Sequence, residues 1–320
     1  MQRRTFIRLL GATALCTPSA IAQEVRRFHR LGVLHPLPRT AAQFAPLFDG
    51  LRRQGFLEGR NLVVDPRGFG SNAYRERAVE IVGTGVDVLF CGGDPAVRAA
   101  QQVTRDIPIV GVADDMVGGG LVASLARPEG NTTGFSILST ELDGKRQELL
   151  LELVPGTRRI GALFDPSTTP AERVKAIVDT ARLRGVEVST HPAKSPQDIA
   201  PGIDAAHAAG ATALNVLAAA FLHSNRQIIF ERTAALRMPA IYQFPESAEQ
   251  GGFASYGPRI EQIFPHVGVL IARLFRGERP QDVPVQQPTV FELVINLKTA
   301  KEIGISVPEA LLIRADRVIE

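Results

Sequence analysis

The stretch Val86-Asp-Val-Leu-Phe-Cys-Gly-Gly-Asp-Pro95 decides how this chain folds. Its apolar run, residues 86–90, has strand length and lacks a polar face, as expected of a strand covered on both sides. Cys91-Gly92-Gly93 then makes a tight turn. Asp94-Pro95 supplies the residue types that start a helix, expected over residues 96–104. A second apolar run over residues 107–112 follows at once. Strand, turn, helix and strand in this order form a βαβ unit of a parallel sheet, with a right-handed crossover.

The alternation continues in both directions. Upstream, Arg30-Leu-Gly-Val-Leu34 reads as the first strand, followed by a helix over 43–54 that Gly55 ends, a strand over 61–65 and a helix over 74–82. Beyond Phe135 a second series begins. It runs through helix 145–153 (closed by Pro155-Gly156), strand 159–164, helix 171–184, strand 186–190, helix 196–209, strand 213–217, helix 224–236 and strand 239–243. The predicted class is therefore α/β, with two doubly wound parallel-sheet lobes, each near ordinary domain size.

The remainder is too fragmentary for a third domain. A helix over 258–275 carries Ile260, Ile263, Phe264, Val267, Leu270, Ile271 and Leu274 on one face at helical spacing. A Pro/Gln-rich stretch over 280–288, a strand over 290–296 and a short helix over 298–302 stopped by Gly304 come after it. Such pieces must dock on sheets already made, so the chain is expected to recross between the lobes. That gives one lobe from residues 27–138 plus 258–288 and another from 139–257 plus 289–320, joined by a multi-strand hinge. Asn131-Thr-Thr-Gly134, small and polar, is expected to begin the first crossover.

Met1-Gln-Arg-Arg-Thr-Phe-Ile-Arg8, the apolar run over residues 7–21 and Ala20-Ile-Ala22 have the three parts of an export signal. The Arg3-Arg4 pair gives it the look of the twin-arginine type, with cleavage after Ala22. An amphipathic first helix or a membrane anchor is the alternative, but the run is short for a bilayer core of about 30 Å. Arg3, Arg4 and Arg8 account for the whole formal charge of +3. With them removed no Lys/Arg block is left to follow a phosphate backbone, so nucleic acid is not an expected partner. Cys16 falls inside the same segment and follows Leu15, which does not suit a lipidated N-terminus. Cys91 alone cannot form an internal disulfide. The exported chain is expected to be soluble, monomeric and periplasmic.

Four further stretches, in order, carry a family resemblance. They are Gly50-Leu-Arg-Arg-Gln-Gly-Phe-Leu-Glu-Gly-Arg-Asn61, residues 114–131 with Gly118-Gly-Gly-Leu-Val-Ala-Ser-Leu-Ala-Arg-Pro-Glu-Gly-Asn131, Gly251-Gly-Phe-Ala-Ser-Tyr-Gly257, and Phe291-Glu-Leu-Val-Ile-Asn-Leu-Lys-Thr-Ala-Lys-Glu-Ile-Gly-Ile-Ser-Val-Pro308. Over essentially its whole length the chain resembles the ABC transporter substrate-binding proteins of the TrpX-like family. The resemblance implies a type I periplasmic-binding-protein fold that hands a small solute to a permease in the inner membrane. Some members of that family bind aromatic amino acids.

In open parallel sheets ligands bind beyond the carboxyl ends of the strands. That rule selects His35 and Pro36 after the first strand, Gly92, Gly93 and Asp94 after the third, and Asp114 and Asp115 after the fourth. In the second lobe it selects Asp165 and Ser167, then Ala218, then Gln243. Gly92-Gly93-Asp94 suits a ligand carboxylate at a helix N-terminus, and equally a tight turn with a helix start. Ser167 suits a cap as well as a ligand contact. Asp114 and Asp115 suit a ligand ammonium or hydroxyl, or else a cap before Gly118-Gly-Gly120 or a polar pair at the hinge. Phe221, Tyr242 and Tyr256 offer flat walls for an apolar or aromatic ligand group, or ordinary core packing.

No enzyme chemistry is expected. Adjacent acids in one loop rarely face a substrate from opposite sides. The six histidines show no metal-ligand spacing, and the G-x-S-x-G and G-x-G-x-x-G patterns do not occur. A cofactor is not expected either. The leading expectation is an extracytoplasmic solute receptor for an ABC permease, possible ligands including amino acids. A periplasmic ligand-sensing module, or an exported α/β enzyme, is the alternative.

Overall fold

The computed structural model describes residues 28–320, so the expected export signal, residues 1–22, lies outside the described residues. The first sheet has five parallel strands in the order β2-β1-β3-β4-β5. These are β1 His29–Leu34, β2 Leu62–Val64, β3 Val88–Gly92, β4 Ile109–Ala113 and β5 Thr132–Ser136. Helix α1 is Phe44–Arg53, α2 is Tyr74–Val82 and α3 is Asp94–Val103. Along β3, Val88 and Phe90 enter the core formed with α1, while Leu89 and Cys91 enter the core formed with α2 and α3. Both faces are therefore dry, which is why the deciding stretch reads as a continuous apolar run.

The second sheet has seven strands in the order β12-β11-β10-β9-β8-β6-β7. Its parallel part comprises β6 Arg159–Phe164, β7 Glu187–Pro192, β8 Ala213–Val216, β9 Ala240–Tyr242 and β10 Ala254–Gly257. Strand β11, Glu292–Asn296, runs antiparallel to β10, and β12, Arg317–Ile319, runs parallel to β11. The helices between are α4 Ser139–Leu153, α5 Ala171–Leu183, α6 Pro196–Ala208, α7 Ala220–Ser224, α8 Arg226–Ala235 and α9 Pro245–Glu249. After them come α10 Ile260–Phe275, α11 Leu297–Ile303 and α12 Glu309–Arg314.

Helix α10 takes the chain back to the first sheet. Its expected apolar face is buried there in the core shared with α1. Burying those seven large apolar side chains is worth about 1.5–3 kcal/mol each, enough to hold a returning segment in place. Gly304 ends α11 in the left-handed conformation, as its position implied. Among the described residues no helix is long and apolar enough to cross a membrane.

Three differences from the sequence reading matter for the site. Asn131-Thr-Thr-Gly134 does not begin the crossover: Thr132–Ser136 is the edge strand β5, wholly buried and paired to β4. The β-branched threonines suit a strand, and Thr133 Oγ1 donates to the Val283 carbonyl (2.6 Å). The crossover comes at Ile137-Leu138, where Leu138 has φ 58°, a conformation costly for a residue with a branched side chain. Helix α4 starts at Ser139, six residues before the expected start at 145. The expected helix over 224–236 is α8, starting two residues later, and a short helix that was not expected, α7, precedes it. Asn225 separates the two, its Nδ2 donating to the Phe221 carbonyl in competition with the helix ladder.

Candidate ligand-binding site

The carboxyl ends of β1, β3 and β4 face those of β6, β8 and β9 across one gap, so the loops that follow them form its two walls. Three connected spaces occupy it. The largest, about 630 Å³, lies between the α3 N-terminus with the Asp114–Gly119 loop and the Pro166–Ala176 segment leading into α5. A second, about 550 Å³, lies between Asn72, Tyr74 and Pro95 on one side and Asp165–Thr168 with Phe221 on the other. An inner cavity of about 50 Å³ sits nearest the hinge, lined by His35, Asp114, His223, Gln243 and Phe244 among others.

On the first wall Gly93 has φ 93°, and a Cβ there would stand 2.9 Å from the Ala220 Cβ of the opposite lobe. Only glycine fits both demands. Asp94 is the first residue of α3 and is buried. Its Oδ1 accepts the Asp114 N–H (3.0 Å), and Asp114, also buried, accepts from Gln243 Nε2 of the other lobe (3.3 Å). This contact across the gap marks a closed arrangement. Burial pushes the Asp94 carboxyl up to about 7, and the neighbouring Asp114 charge adds to the effect. Asp115 borders the wide space, but its carboxylate caps the Gly118 N–H (2.8 Å), the structural role open to it from the start.

On the second wall Asp165 folds its own loop. Its Oδ1 accepts from the Ser167 N–H (2.8 Å) and hydroxyl (2.7 Å), and its carbonyl accepts the Thr169 N–H (2.9 Å). Ser167 and Thr168 thereby face the gap at the start of α5. Behind them lies a charge cluster that the sequence reading missed. Asp143 is fully buried and accepts from Arg146, from Arg173 and from the Ala218 N–H (3.1 Å). Arg146, also fully buried, donates in addition to the Tyr256 carbonyl (3.1 Å). Arg173 reaches the gap itself, where its charge acts on Asp94. The cluster holds two guanidinium groups and one carboxylate.

The structure brings His35, Gly92, Gly93, Asp94, Asp114, Asp115, Asp165, Ser167, Phe221 and Gln243 to the walls of the gap. Pro36 shapes the turn beside His35 and lines none of the three spaces. Ala218 gives its N–H to Asp143. Tyr242 points into the core of the second lobe, edge-on to Phe230 (5.1 Å) with its hydroxyl 3.5 Å from Thr233 Oγ1. Tyr256 lies beside Phe291 (6.4 Å), away from the gap. Reasoning from sequence also missed Gln43, Arg98, His223 and Phe244. Arg98 had a local sign, one turn after Asp94 on the same helix face; the others had none. Among the described residues no group of three or more His, Cys, Asp or Glu is placed to hold a metal ion.

The profile of the ABC transporter substrate-binding proteins matches residues 38–319. The chain belongs to this family. Family members are extracytoplasmic solute-binding proteins and not enzymes. A curated relative, the tyrosine-binding protein of Clostridioides difficile strain R20291, is 26% identical over 256 residues, 78% of this chain and 73% of its own. A conserved domain protein from Vibrio cholerae O1 biovar El Tor is 28% identical with TM-score 0.82, covering 92% of this chain and 99% of that one. An ABC domain from Streptococcus pneumoniae solved with L-Trp is 24% identical with TM-score 0.76, covering 90% and 100%. The chain shares with these solved structures an α/β fold of the type I periplasmic-binding-protein kind.

Proposed function

We propose that this protein captures an α-amino acid between its lobes outside the cytoplasm and delivers it to an ABC permease. The observation that carries the reading is the polarity of the gap. Asp94 and Asp114 line one wall, while Arg173 and the Ser167–Thr168 segment at the α5 N-terminus line the other. A zwitterion fits between them, with its ammonium on the acid pair and its carboxylate on Arg173. The carboxylate would also balance the excess guanidinium of the buried cluster. The lobes in this reading are residues 27–138 with 258–288 and residues 139–257 with 289–320, and Leu138 with the two later crossovers forms the hinge. The tyrosine and tryptophan named for the relatives support an aromatic side chain on the ligand.

Thermal denaturation against L-amino acids tests the proposal. A ligand at about 100 times its dissociation constant adds roughly 2.7 kcal/mol to stability, which for a chain this long is a shift of several degrees. The amine lacking the carboxylate and the acid lacking the amine should each give a small fraction of that shift. Equal shifts from all three, or none from any amino acid, would overturn the reading.

Export by the twin-arginine route belongs to the same proposal, motivated by Arg3-Arg4 and by two lobes that C-terminal segments complete. Replacing the pair by Lys-Lys should hold the precursor in the cytoplasm, as read by immunoblot of cell fractions. Undiminished export would point to the general secretory route.

A further inference from the structure

The inner cavity contains two imidazoles, one from each lobe, that the amino-acid head group does not use. His35 is buried among Phe44 (5.0 Å, edge-on), Phe90 (6.0 Å) and Phe264 (6.3 Å). Its Nδ1 accepts the Leu37 N–H (3.1 Å), which leaves Nε2 carrying the proton. Gly92 makes room for this ring, since a Cβ there would fall 2.1 Å from the His35 Cδ2. His223 stands edge-on to Phe244 (4.8 Å) and also lines the cavity. Burial lowers both imidazoles below the usual histidine range, to about 3 for His35, so both are neutral at physiological pH. Among the described residues, neither the His35 Nε2–H nor either ring nitrogen of His223 has a hydrogen-bond partner.

Polar groups in an enclosed, mostly apolar space rarely stay unmatched. The rest of the lining is Val112, Ile137, Phe244, Ile260, Ile263 and Phe264 with small residues and three further polar side chains, Gln43, Asp114 and Gln243. The last two bond to each other, and the two imidazoles, one from each lobe, offer a donor and an acceptor to the ligand. Resting on the amino-acid reading, we propose that His35 and His223 form a subsite that reads a hydroxyl group at the end of the ligand's side chain, a phenol being the group that the aromatic walls suit. The phenol oxygen accepts from the His35 Nε2–H, and its own proton goes to a nitrogen of His223. Asp114 borders both this cavity and the wide space, so an ammonium held there directs the side chain inward.

In the closed form the cavity has room for about three or four water molecules. The ring therefore enters before the lobes shut. It displaces Gln243, which lines the cavity and bridges to Asp114. A phenyl ring would leave the His35 donor unmatched, and an indole N–H, which only donates, would do the same. Sites built to bond a hydroxyl reject analogues that lack it far more strongly than apolar pockets reject size variants.

Calorimetric titration of the full mature protein with L-tyrosine, L-phenylalanine and O-methyl-L-tyrosine tests this. Tyrosine should bind about 100-fold or more tightly than the other two. In H223F, and independently in H35Q, confirmed as folded by circular dichroism, the tyrosine-to-phenylalanine ratio should fall below about 5. Equal affinities in the parent protein, or a preference that survives in both variants, would overturn the subsite. Binding of amino acids without regard to a hydroxyl would overturn the subsite alone, whereas failure to bind any amino acid would remove the wider reading with it.

Discussion

Replacing Asp143 by alanine should destabilise the protein by about 3–5 kcal/mol and lower its melting temperature by roughly 10 °C. The carboxylate is fully buried and shared by Arg146, Arg173 and the Ala218 N–H. Its removal leaves Arg146 and the Ala218 N–H without this acceptor in the dry interior, and Arg173 without it at the edge of the gap. The cluster already leaves polar atoms unmatched: the Nε atoms of both arginines are buried without a partner, as is Oδ1 of Asn215, whose Nδ2 donates to the Asp143 carbonyl. The triple variant D143L/R146M/R173M removes every charge at once. Because buried ion clusters often contribute little compared with apolar residues of similar volume, it should melt within a few degrees of the parent. It should nevertheless lose amino-acid binding, because Arg173 is gone. Differential scanning calorimetry and titration of the two variants separate these effects. A single D143A variant as stable as the parent would show that the cluster does not support the fold.

The contrast between what the sequence disclosed and what it hid follows from distance along the chain. Apolar runs and turn residues are local, so the alternation of β1 to β4 and of β6 to β9 with their helices could be read directly, with edges displaced by one or two residues. Strand β10 is four residues long and ends on a glycine, so it has too little pattern to stand out. The antiparallel direction of β11 depends on where the chain re-enters the second sheet, which no local signal encodes. The strand-end rule found most of the walls because a parallel sheet sends all its carboxyl ends to one side. It went astray at Tyr242, where successive strand side chains point to opposite faces: Gln243 faces the gap and Tyr242 the core. Asp143 stays hidden in the sequence because a helix beginning at residue 145 leaves it in a loop, where its three-residue spacing to Arg146 carries no signal. The Arg173 that shares it is thirty residues further along and becomes a neighbour only once α5 packs beside α4.

The second large effect should come from the acid pair. If an ammonium sits on Asp114 and Asp94, Asp114→Ala removes one partner of a buried charge pair, a loss of about 3–4 kcal/mol, or roughly 100- to 1,000-fold in affinity. The companion variant Asp94→Asn should act chiefly through protons. In the empty protein burial and the Asp114 charge raise the Asp94 carboxyl to about 7, so near pH 6 it is mostly protonated. Its folded value lies above the unfolded one, so its contribution to stability is complete below the ordinary carboxylate range and is lost as pH rises through about 7. A ligand ammonium reverses the balance by favouring the carboxylate. Binding near pH 6 should therefore release close to one proton, and affinity should rise with pH up to about 7.5 and level off above it. Titration calorimetry at pH 6 in two buffers of different ionisation enthalpy measures that proton directly. Asp94→Asn should bring the release near zero and flatten the pH profile while Asp114 still holds the ligand. Proton uptake on binding, or a release that Asp94→Asn leaves intact, would mean that the ammonium does not meet this pair and that the zwitterion lies the other way round in the gap.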